Sequence, residues 1–399
     1  MGRFAKNLFC GLLAGATFFT SLQISLADDY EELVNLLMEK KILTRQEAEA
    51  LIKKHRERLA KEKENTLDKS EIKKLKKLVQ LKISGKVYLH YDYTVNSPKI
   101  SENDYGEFKV TRAYLEVRKY FGKGKDNYFR TTVDVYQNTD GSYVVRLKYA
   151  YLNWKINNFL ATEIGLAHRP WIDWEEHNGW LHRDVEKTFI EDSDGAHLLN
   201  SADMGIALKG KVGNLGYMFG IYNGEGYHGA ENDQHFGKSV EGRINYSWGG
   251  LTTALHLAYI DNQDTADKVI VQPWIGFKND NFLVAFQYIY NEEKNKNAPD
   301  YVNTGFSVNG DLYLKRFVGK PLTLFARYGY WNLDKDAENK TDYTQVDRWQ
   351  VLLGASYDWN KYIKTSLAYK YVGYDIPAQN TESGKDYKDT IMAVMQVKW

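Results

Sequence analysis

The sequence predicts an all-β protein, a 16-stranded antiparallel transmembrane β-barrel that follows an N-terminal helical segment. From residue 82 to the end of the chain, apolar and polar residues alternate with a period of two, as in strands with two different faces. The alternating segments run about ten residues or more, the length that a tilted strand needs to cross a bilayer. Aromatic residues make up 14% of the chain and cluster toward the segment ends, as membrane interfaces favour.

The first 27 residues predict a cleaved secretory signal peptide. Two basic residues precede an apolar run over 8–19, and small residues follow before the expected cleavage point. The only cysteine, Cys10, lies inside this run. A mature chain without a thiol excludes disulfides, thiolate metal sites and a cysteine nucleophile. A lipoprotein interpretation of Cys10 is the minor alternative, because no convincing lipobox precedes it.

Residues 28–80 predict a helical periplasmic segment. Apolar residues recur at three- and four-residue spacing from 30 to 63. Thr44 and Glu47 form a capping box, which divides this stretch into two short helices. The lysine-rich part that follows fits a solvated helix or linker, a short coiled coil, or a basic arm against an anionic envelope surface.

Residues 81–399 predict the barrel itself. The expected strands are 82–95, 108–121, 127–138, 142–156, 159–168, 203–212, 215–222, 239–248, 251–261, 268–278, 281–291, 303–314, 321–333, 346–359, 362–374 and 387–399. Asn309-Gly310 also fits a turn or bulge, so that 14 or 18 strands are alternative counts. No later stretch approaches about 18 apolar residues, which excludes a membrane helix. The net charge of +1 gives no basic field for nucleic acid.

The charged side of each strand is predicted to face water, because a lysine or arginine at mid-bilayer costs about 2–4 kcal/mol. The predicted basic wall, which would line the pore, consists of Arg112, Arg118, Arg130, Arg146, Lys148, Arg243, Arg327 and Arg348. For each of them the alternative is a salt-bridged wall residue without a selective role.

The longest connection, 169–203, is predicted to fold into the lumen. More than about 12–15 residues without a strand pattern is unusual and often functional. Its aromatic residues are expected to pack on the wall, and they are Trp171, Trp174, Trp180 and Phe189. Its carboxylates are expected to lie opposite the arginines and to form a charged constriction, and they include Asp173, Glu175, Glu176, Asp184, Glu186 and Glu191.

The order of several motifs resembles the phosphate-selective porin O/P family over most of the chain. These motifs are "LVNLLMEKKILTRQEAEAL", "ISGKVYLHYDY", "TRAYLEV", "RLKYAYLNW", "IGLAHRPW", "SADMGIALKG" and the terminal Trp399. The resemblance implies a homotrimer and makes 169–203 the inward-folded third loop. It also implies that the strand ending in Trp399 is read by the barrel-assembly machinery and closes the barrel against the first strand.

We therefore expect an outer-membrane porin of the Gram-negative type, for passive diffusion of small hydrophilic solutes and ions, with its helical segment in the periplasm. No cofactor or metal is expected. The acidic stretch "DNQDTADK" in the expected fifth loop argues against a dedicated phosphate pore. An anion- or phosphate-selective porin is nevertheless the main alternative.

Three further hypotheses come from other classes. An outer-membrane hydrolase would use His90 or His256, but no nucleophile motif accompanies them. Metal capture would use His168, beside the long connection, with His177, His182 and His197 inside it and His228 and His235 in the next loop. Their spacing matches no compact zinc pattern. An envelope tether would bind peptidoglycan, or form a trimeric stalk, through residues 28–80.

Overall fold

The computed structural model describes most of the chain. The described residues are 30–64, 71, 80–122, 124–138, 140–229, 237–261, 266–295, 298–335 and 337–399. The predicted signal peptide and most of the lysine-rich stretch before residue 80 lie outside the described residues. The cleavage site and the coiled coil therefore stay predictions.

Two helices form the N-terminal part of the described chain. Residues 30–39 are helical (α1), and α2 spans Arg45–Glu64. The Thr44 backbone N–H donates to Glu47 Oε2 at 2.9 Å, and the Glu47 N–H donates to Thr44 Oγ1 at 3.3 Å. The predicted capping box is thus confirmed, and it satisfies backbone donors at the start of α2.

The helices pack on each other through a small apolar contact and one ion pair. Val34 and Ala48 are buried, and the Arg56 guanidinium donates twice to Glu31, at 2.7 Å each. Among the described residues, no helix combines the length and apolar character needed to cross a membrane.

The rest of the described chain is dominated by strands that form one closed antiparallel barrel. The strands are β1 (Leu81–Asn96), β2 (Tyr105–Tyr120), β3 (Tyr128–Gln137), β4 (Tyr143–Lys155), β5 (Ala161–His168), β6 (Ala202–Val212), β7 (Leu215–Tyr222), β8 (Ser239–Trp248), β9 (Leu251–Ile260), β10 (Ala266–Lys278), β11 (Phe282–Asn295), β12 (Tyr301–Tyr313), β13 (Leu322–Asn332), β14 (Arg348–Asp358), β15 (Ile363–Tyr374) and β16 (Tyr387–Lys398). The predicted fold class and the count of 16 are confirmed. Asn309-Gly310 lies inside β12 in continuous register with β11, so it forms neither a turn nor a bulge.

The barrel closes where its last strand meets its first. β1 pairs with β16, with Val87 opposite Val397. The Gly85 N–H donates to the Trp399 carbonyl at 3.2 Å, and the Trp399 N–H donates to the Gly85 carbonyl at 3.1 Å. A Cβ at Gly85 would lie 2.1 Å from the Trp399 ring. The terminal tryptophan therefore covers a position that only glycine can occupy without displacing the ring.

The two faces of the strands differ as the alternation predicts. On β9, Leu255 and Leu257 are exposed on the outside, whereas His256 between them is fully buried on the inside. On β4, Leu147 is exposed and Lys148 is buried. Because successive side chains of a strand point to opposite faces, the outside is apolar and the inside carries most of the charge.

From β5 to β9 the connections alternate between long and short. β8 and β9 are joined by Gly249-Gly250, and both glycines have positive φ, 56° and 91°. Two-residue hairpin turns of this kind require positive φ at both positions, which favours glycine. The longest connection runs from 169 to 201, since β6 begins at Ala202, two residues before the predicted end of the loop. We call residues 169–201 the long loop.

Candidate functional site

The long loop contains one helix, α3 (Ile172–Asn178), and otherwise consists of turns and irregular backbone. Much of it is buried although it is not part of the barrel wall. Trp171, Trp180 and Phe189 are each at most 1% exposed. Side chains of this size are buried only where other groups cover them, so the loop lies against the inner surface of the barrel.

Aromatic contacts fix the loop against β9, β10 and β13. Trp171 stacks on His256, with ring centroids 5.4 Å apart. Trp174 meets Trp274 edge to face at 4.9 Å, and Trp180 meets Phe325 edge to face at 6.1 Å. Edge-to-face pairs at such distances are the geometry that aromatic rings prefer. The expectation that the loop aromatics pack on the wall agrees with this geometry.

A glycine makes room for the remaining loop aromatic. A Cβ at Gly329 on β13 would lie 2.4 Å from the Phe189 ring. Any larger side chain at this position would push Phe189 off the wall. Phe189 belongs to a buried apolar cluster that also includes Ile190 of the loop and Ile270 of β10.

A basic clamp on β13 and β15 holds the middle of the loop. Lys370 Nζ lies 2.8 Å from Glu186, 3.3 Å from Asp192 and 2.7 Å from Asp194. Arg327 donates to Asp192 Oδ2 at 2.7 Å and to the Lys187 carbonyl at 2.5 Å. Two buried cations thus neutralise most of the charge of three carboxylates. Removal of either cation would leave more of this buried negative charge uncompensated.

A second pair lies on β15, next to the clamp. Lys364 Nζ donates to Asp184 Oδ1 at 2.5 Å. The backbone carbonyl of Asp184 lies 2.7 Å from His90 Nε2 on β1. Asp184 and Glu186 therefore each pair with a cation of the wall, but these cations are the lysines Lys364 and Lys370 and not arginines.

The two ends of the loop are held by arginines of the wall and of the loop itself. Arg169 pairs with Glu241 at 2.5 Å. Arg243 donates to the Pro170 carbonyl at 2.7 Å, and Arg348 donates to the Gly195 carbonyl at 2.9 Å. Arg243 and Arg348 therefore hydrogen-bond to the loop backbone, and loop carboxylates interact with them electrostatically without a direct ion pair among the described residues.

Glu175 is buried without a cation bonded to it. Trp171 Nε1 donates to one carboxylate oxygen at 2.8 Å, and Gln287 Nε2 donates to the other at 2.6 Å. Gln287 also accepts from Gln272, whose own carbonyl lies 3.2 Å from His256 Nδ1. Burial raises the pKa of Glu175 to about 7, although these two donors act in the opposite direction.

The remaining loop carboxylates pair within the loop. Arg183 holds Glu191 with both terminal guanidinium nitrogens and lies 3.4 Å from Glu176. Against burial, which alone would raise it, Arg183 lowers the pKa of Glu191 to about 2. Asp173 is half-exposed, and the imidazole rings of His168 and His177 lie 3.9 and 4.0 Å from its carboxylate.

The wall region on β2–β4 is also basic, but its cations are not bound to the acids in the middle of the loop. Arg112 and Arg146 share one fully buried carboxylate, Asp134, at 3.1 and 3.4 Å. Lys148 has no carboxylate within 4 Å among the described residues. Its ammonium lies over the Tyr114 ring at 4.7 Å. Aromatic faces stabilise such a cation less than a carboxylate does.

Arg130, also on this wall, is paired and stacked. It lies 2.7 Å from Glu116 and donates to His168 at 2.9 Å. Its guanidinium carbon lies 4.4 Å from the centre of the Tyr149 ring. The alternative of a salt-bridged wall residue therefore describes Arg130 well.

A cavity of about 550 Å³ lies between the β2–β4 wall and the long loop. The charged groups in its lining include Lys109, Arg112, Arg146, Lys187, Glu107 and Glu191. Of the eight loop acids only Glu191 lines this cavity, and four of the others are bound to β13 and β15. The side chains that face the open space are consequently more basic than the sequence predicted.

The predicted site residues thus divide into two groups. Arg112, Arg130, Arg146 and Lys148 form the β2–β4 wall, whereas Arg243, Arg327 and Arg348 are buried under the loop. Arg118 is partly buried near the end of β2. Three basic residues of the long loop were missed, Arg169, Arg183 and Lys187. A count of both signs of charge within the loop would have found them.

The histidines do not form a metal or catalytic cluster within the described residues. His182 binds Asp311 at 2.9 Å and stacks on Phe325, and His177 is bonded to the Asp173 carbonyl. The described acidic group with metal-like spacing is Glu338, Asp347 and Asp375. Lys340 Nζ already lies 2.6 Å from Glu338 and 2.7 Å from Asp375.

No family model matches the sequence, and no curated protein matches it. Solved structures do match. An anion-selective porin from Comamonas acidovorans has a TM-score of 0.62 at 11% identity, covering 80% of this chain and 99% of that one. Salmonella typhi OmpF, solved with daunomycin, has a TM-score of 0.55 at 13% identity, with 80% and 97% covered. The outer-membrane channel DcaP of Acinetobacter baumannii has a TM-score of 0.53 at 15% identity, also with 80% and 97% covered.

At these identities the likeness shows the fold. The chain has the closed barrel fold that these outer-membrane porins and channels share. The described structural neighbours do not single out the phosphate-selective O/P group, so that narrower assignment stays a resemblance of motifs.

Proposed function

We propose that the chain is an outer-membrane porin, a water-filled channel through which small hydrophilic solutes and ions diffuse passively. The observation that carries this proposal is the opposite character of the two barrel faces. Large apolar side chains such as Leu255 and Leu257 are exposed outside, while charged side chains such as Arg112 and Arg146 face the cavity inside. An apolar belt of this extent is unfavourable in water and suits hydrocarbon.

We also propose that the long loop is the constriction of this channel. Its packing on β9, β10, β13 and β15 supports this, because the loop fills that side of the interior with aromatic rings and ion pairs. Solutes would then pass through the space beside β2–β4. In a narrow polar passage, the charges on the wall and on the loop decide which ions enter most readily.

Reconstitution of the purified protein into planar lipid bilayers tests the channel. We expect stepwise, voltage-independent increases in current in KCl, and swelling of liposomes in small sugars that stops above a size limit. The same preparation after heat unfolding is the control. A protein that needs no detergent for solubility and carries no current would contradict the proposal.

A second candidate is an anion-preferring porin. It is favoured by the shared carboxylate of Arg112 and Arg146 and by Lys148, which has no carboxylate partner among the described residues. Reversal potentials in a KCl gradient measure the preference, and competition of phosphate with chloride current tests for phosphate. Equal permeability of K⁺ and Cl⁻ would leave a general diffusion channel.

The partners that we propose follow from the sequence. They are outer-membrane lipid, the barrel-assembly machinery acting on the strand that ends in Trp399, a homotrimeric assembly, and peptidoglycan bound by the helical segment in the periplasm. Deletion of residues 28–80 tests the last of these. We expect unchanged pore current and loss of cell-wall retention, whereas lost current with an intact barrel would show that the pore requires the helical segment.

A further inference from the structure

The acidic residues of the long loop would make its surface negative if they were unpaired. In the structure, almost all of them have a bonding partner. Asp184, Glu186, Asp192 and Asp194 are bound by Lys364, Lys370 and Arg327 of the wall. Glu175 is enclosed by neutral donors. Apart from the half-exposed Asp173, two loop carboxylates remain, Glu176 and Glu191, and Glu191 lines the cavity.

Both of these carboxylates are held by one arginine that belongs to the same loop. Arg183 pairs with Glu191 through two nitrogens and with Glu176 at 3.4 Å. Only a tenth of its side chain is exposed. The pKa of Arg183 lies well above its usual value because Glu191 and Glu176 outweigh the opposing effect of burial, and Tyr114 of β2 adds to it.

The basic and imidazole groups around the same cavity lie close to an excess of positive charge. Lys187 lies 4.0 Å from Glu191, but that carboxylate is already engaged by Arg183. Burial lowers the pKa of His228 to about 4, and Arg146, Lys187 and Arg112 lower it further. His197 also has a lowered pKa, through burial, Lys187 and Arg348. All three side chains line the cavity.

We propose that Arg183 is the residue that determines the charge preference of the channel. By binding Glu191 and Glu176 it neutralises these two loop carboxylates, so that the cations of β2–β4 and Lys187 dominate and anions are favoured over cations. This inference rests on the proposed channel function. Without Arg183 the two carboxylates lose the cation that pairs with both of them, and the local charge balance falls by one unit.

The test is the Cl⁻/K⁺ permeability ratio from reversal potentials in a KCl gradient. We expect wild type to favour Cl⁻ and Arg183→Gln to lower the ratio at least about threefold, because potentials of a few kT in a cleft change local ion concentrations by such factors. Arg183→Lys keeps the charge and should stay within about twofold of wild type. Arg183→Gln combined with Glu191→Gln should recover most of the loss.

A cysteine at the same position separates charge from folding. The only cysteine in the sequence is Cys10, in the predicted signal peptide, so Arg183→Cys provides a single thiol in the mature chain. A cationic methanethiosulfonate reagent should raise the permeability ratio of the open Arg183→Cys channel, and an anionic one should lower it.

The outcomes distinguish the two proposals. Absence of any current from folded wild-type barrels would contradict the channel itself. Normal current with the same permeability ratio in wild type, Arg183→Gln and both modified forms of Arg183→Cys would overturn only the role of Arg183.

Discussion

Lys148 and Lys370 are two inward lysines of the same barrel, and each is 6% exposed, but their surroundings differ. Lys370 lies among Glu186, Asp192 and Asp194 of the long loop. Lys148 lies among tyrosine rings and has no described carboxylate within 4 Å. One lysine is bound directly by loop carboxylates, and the other has no direct carboxylate contact among the described residues.

This difference extends to the wall regions around them. The β13–β15 region uses its cations to attach the loop, and these charges cancel at short range. In the β2–β4 region, Arg112 and Arg146 share a single carboxylate, so part of their positive charge acts on the cavity. Buried basic residues of this barrel therefore either bind the long loop or lack a direct loop carboxylate, and burial alone does not distinguish the two cases.

The largest effect is expected from a substitution that breaks the ion pairs between the long loop and the β13–β15 region. Lys370→Met leaves three carboxylates with Arg327 as their main counter-charge, and loss of one partner of a buried ion pair costs about 3–5 kcal/mol. We expect the loop to detach, with faster tryptic cleavage after Arg183 and Lys187 and a larger, noisier single-channel conductance. Lys388→Met, which removes a more exposed pair with Glu102, is the control and should change neither. Unchanged cleavage in Lys370→Met would contradict the clamp.

A pH change should weaken the same attachment through Glu175. Burial raises the pKa of Glu175 from 4.5 to about 7, so between these values the docked loop keeps a proton that the released loop has lost. Docking is strongest below about pH 4.5 and weakens by up to about 3 kcal/mol as the pH rises to about 7, with no further loss above that.

Tryptic cleavage of the loop between pH 6 and 8.5, corrected for the activity of the protease on a peptide, measures this dependence. Glu175→Gln cannot ionise and should abolish it. Glu102→Gln is the matched control, because Lys388 lowers the pKa of Glu102 despite burial. The same pH profile in wild type and Glu175→Gln would assign the effect to another group.

A smaller effect is expected from crowding the wall under Phe189. Gly329→Ala places a Cβ 2.4 Å from the Phe189 ring, and overpacking of this kind costs about 1–3 kcal/mol. Gly310→Ala on the neighbouring strand is the matched control, since its Cβ meets nothing closer than 3.8 Å. Thermal unfolding in detergent should be lowered only in Gly329→Ala. Equal unfolding temperatures would show that Phe189 adapts without loss.

The smallest effect on stability, within about 1 kcal/mol, is expected from Lys148→Met, because no ion pair is lost. Its Cl⁻/K⁺ permeability ratio should nevertheless fall, whereas its rate of loop cleavage should equal that of wild type. Together with Lys370→Met, this variant tests the comparison directly. Loop release in Lys148→Met without a change of ion preference would reverse the roles given to the two regions.

The strands were predictable because a period of two over about ten residues has few physical interpretations. Each predicted strand is present within four residues of its expected bounds. The capping box at Thr44 was equally local and equally predictable. The attachment of the loop was predictable only in outline. Aromatic residues in a connection had to be covered, but their partners His256, Trp274 and Phe325 come from three strands distant in sequence.

The charge pairs were the least predictable feature. The sequence presents eight acids in the loop and many basic residues on the strands, and parity alone placed them on facing sides. It did not reveal that lysines of β15 would bind the acids in the middle of the loop. Nor did it reveal that Arg183 would neutralise two others from within, because ion pairs depend on distances of a few ångströms.

By itself the sequence determined the fold class, the approximate bounds of the strands and the face of each strand that carries its charges, since these depend on local periodicity. Only the tertiary structure decided which cations are bound by the long loop and which stay open to the cavity. The reason is that charge pairing depends on the path of one long connection, which brings together residues distant in sequence and is not encoded in neighbouring residues.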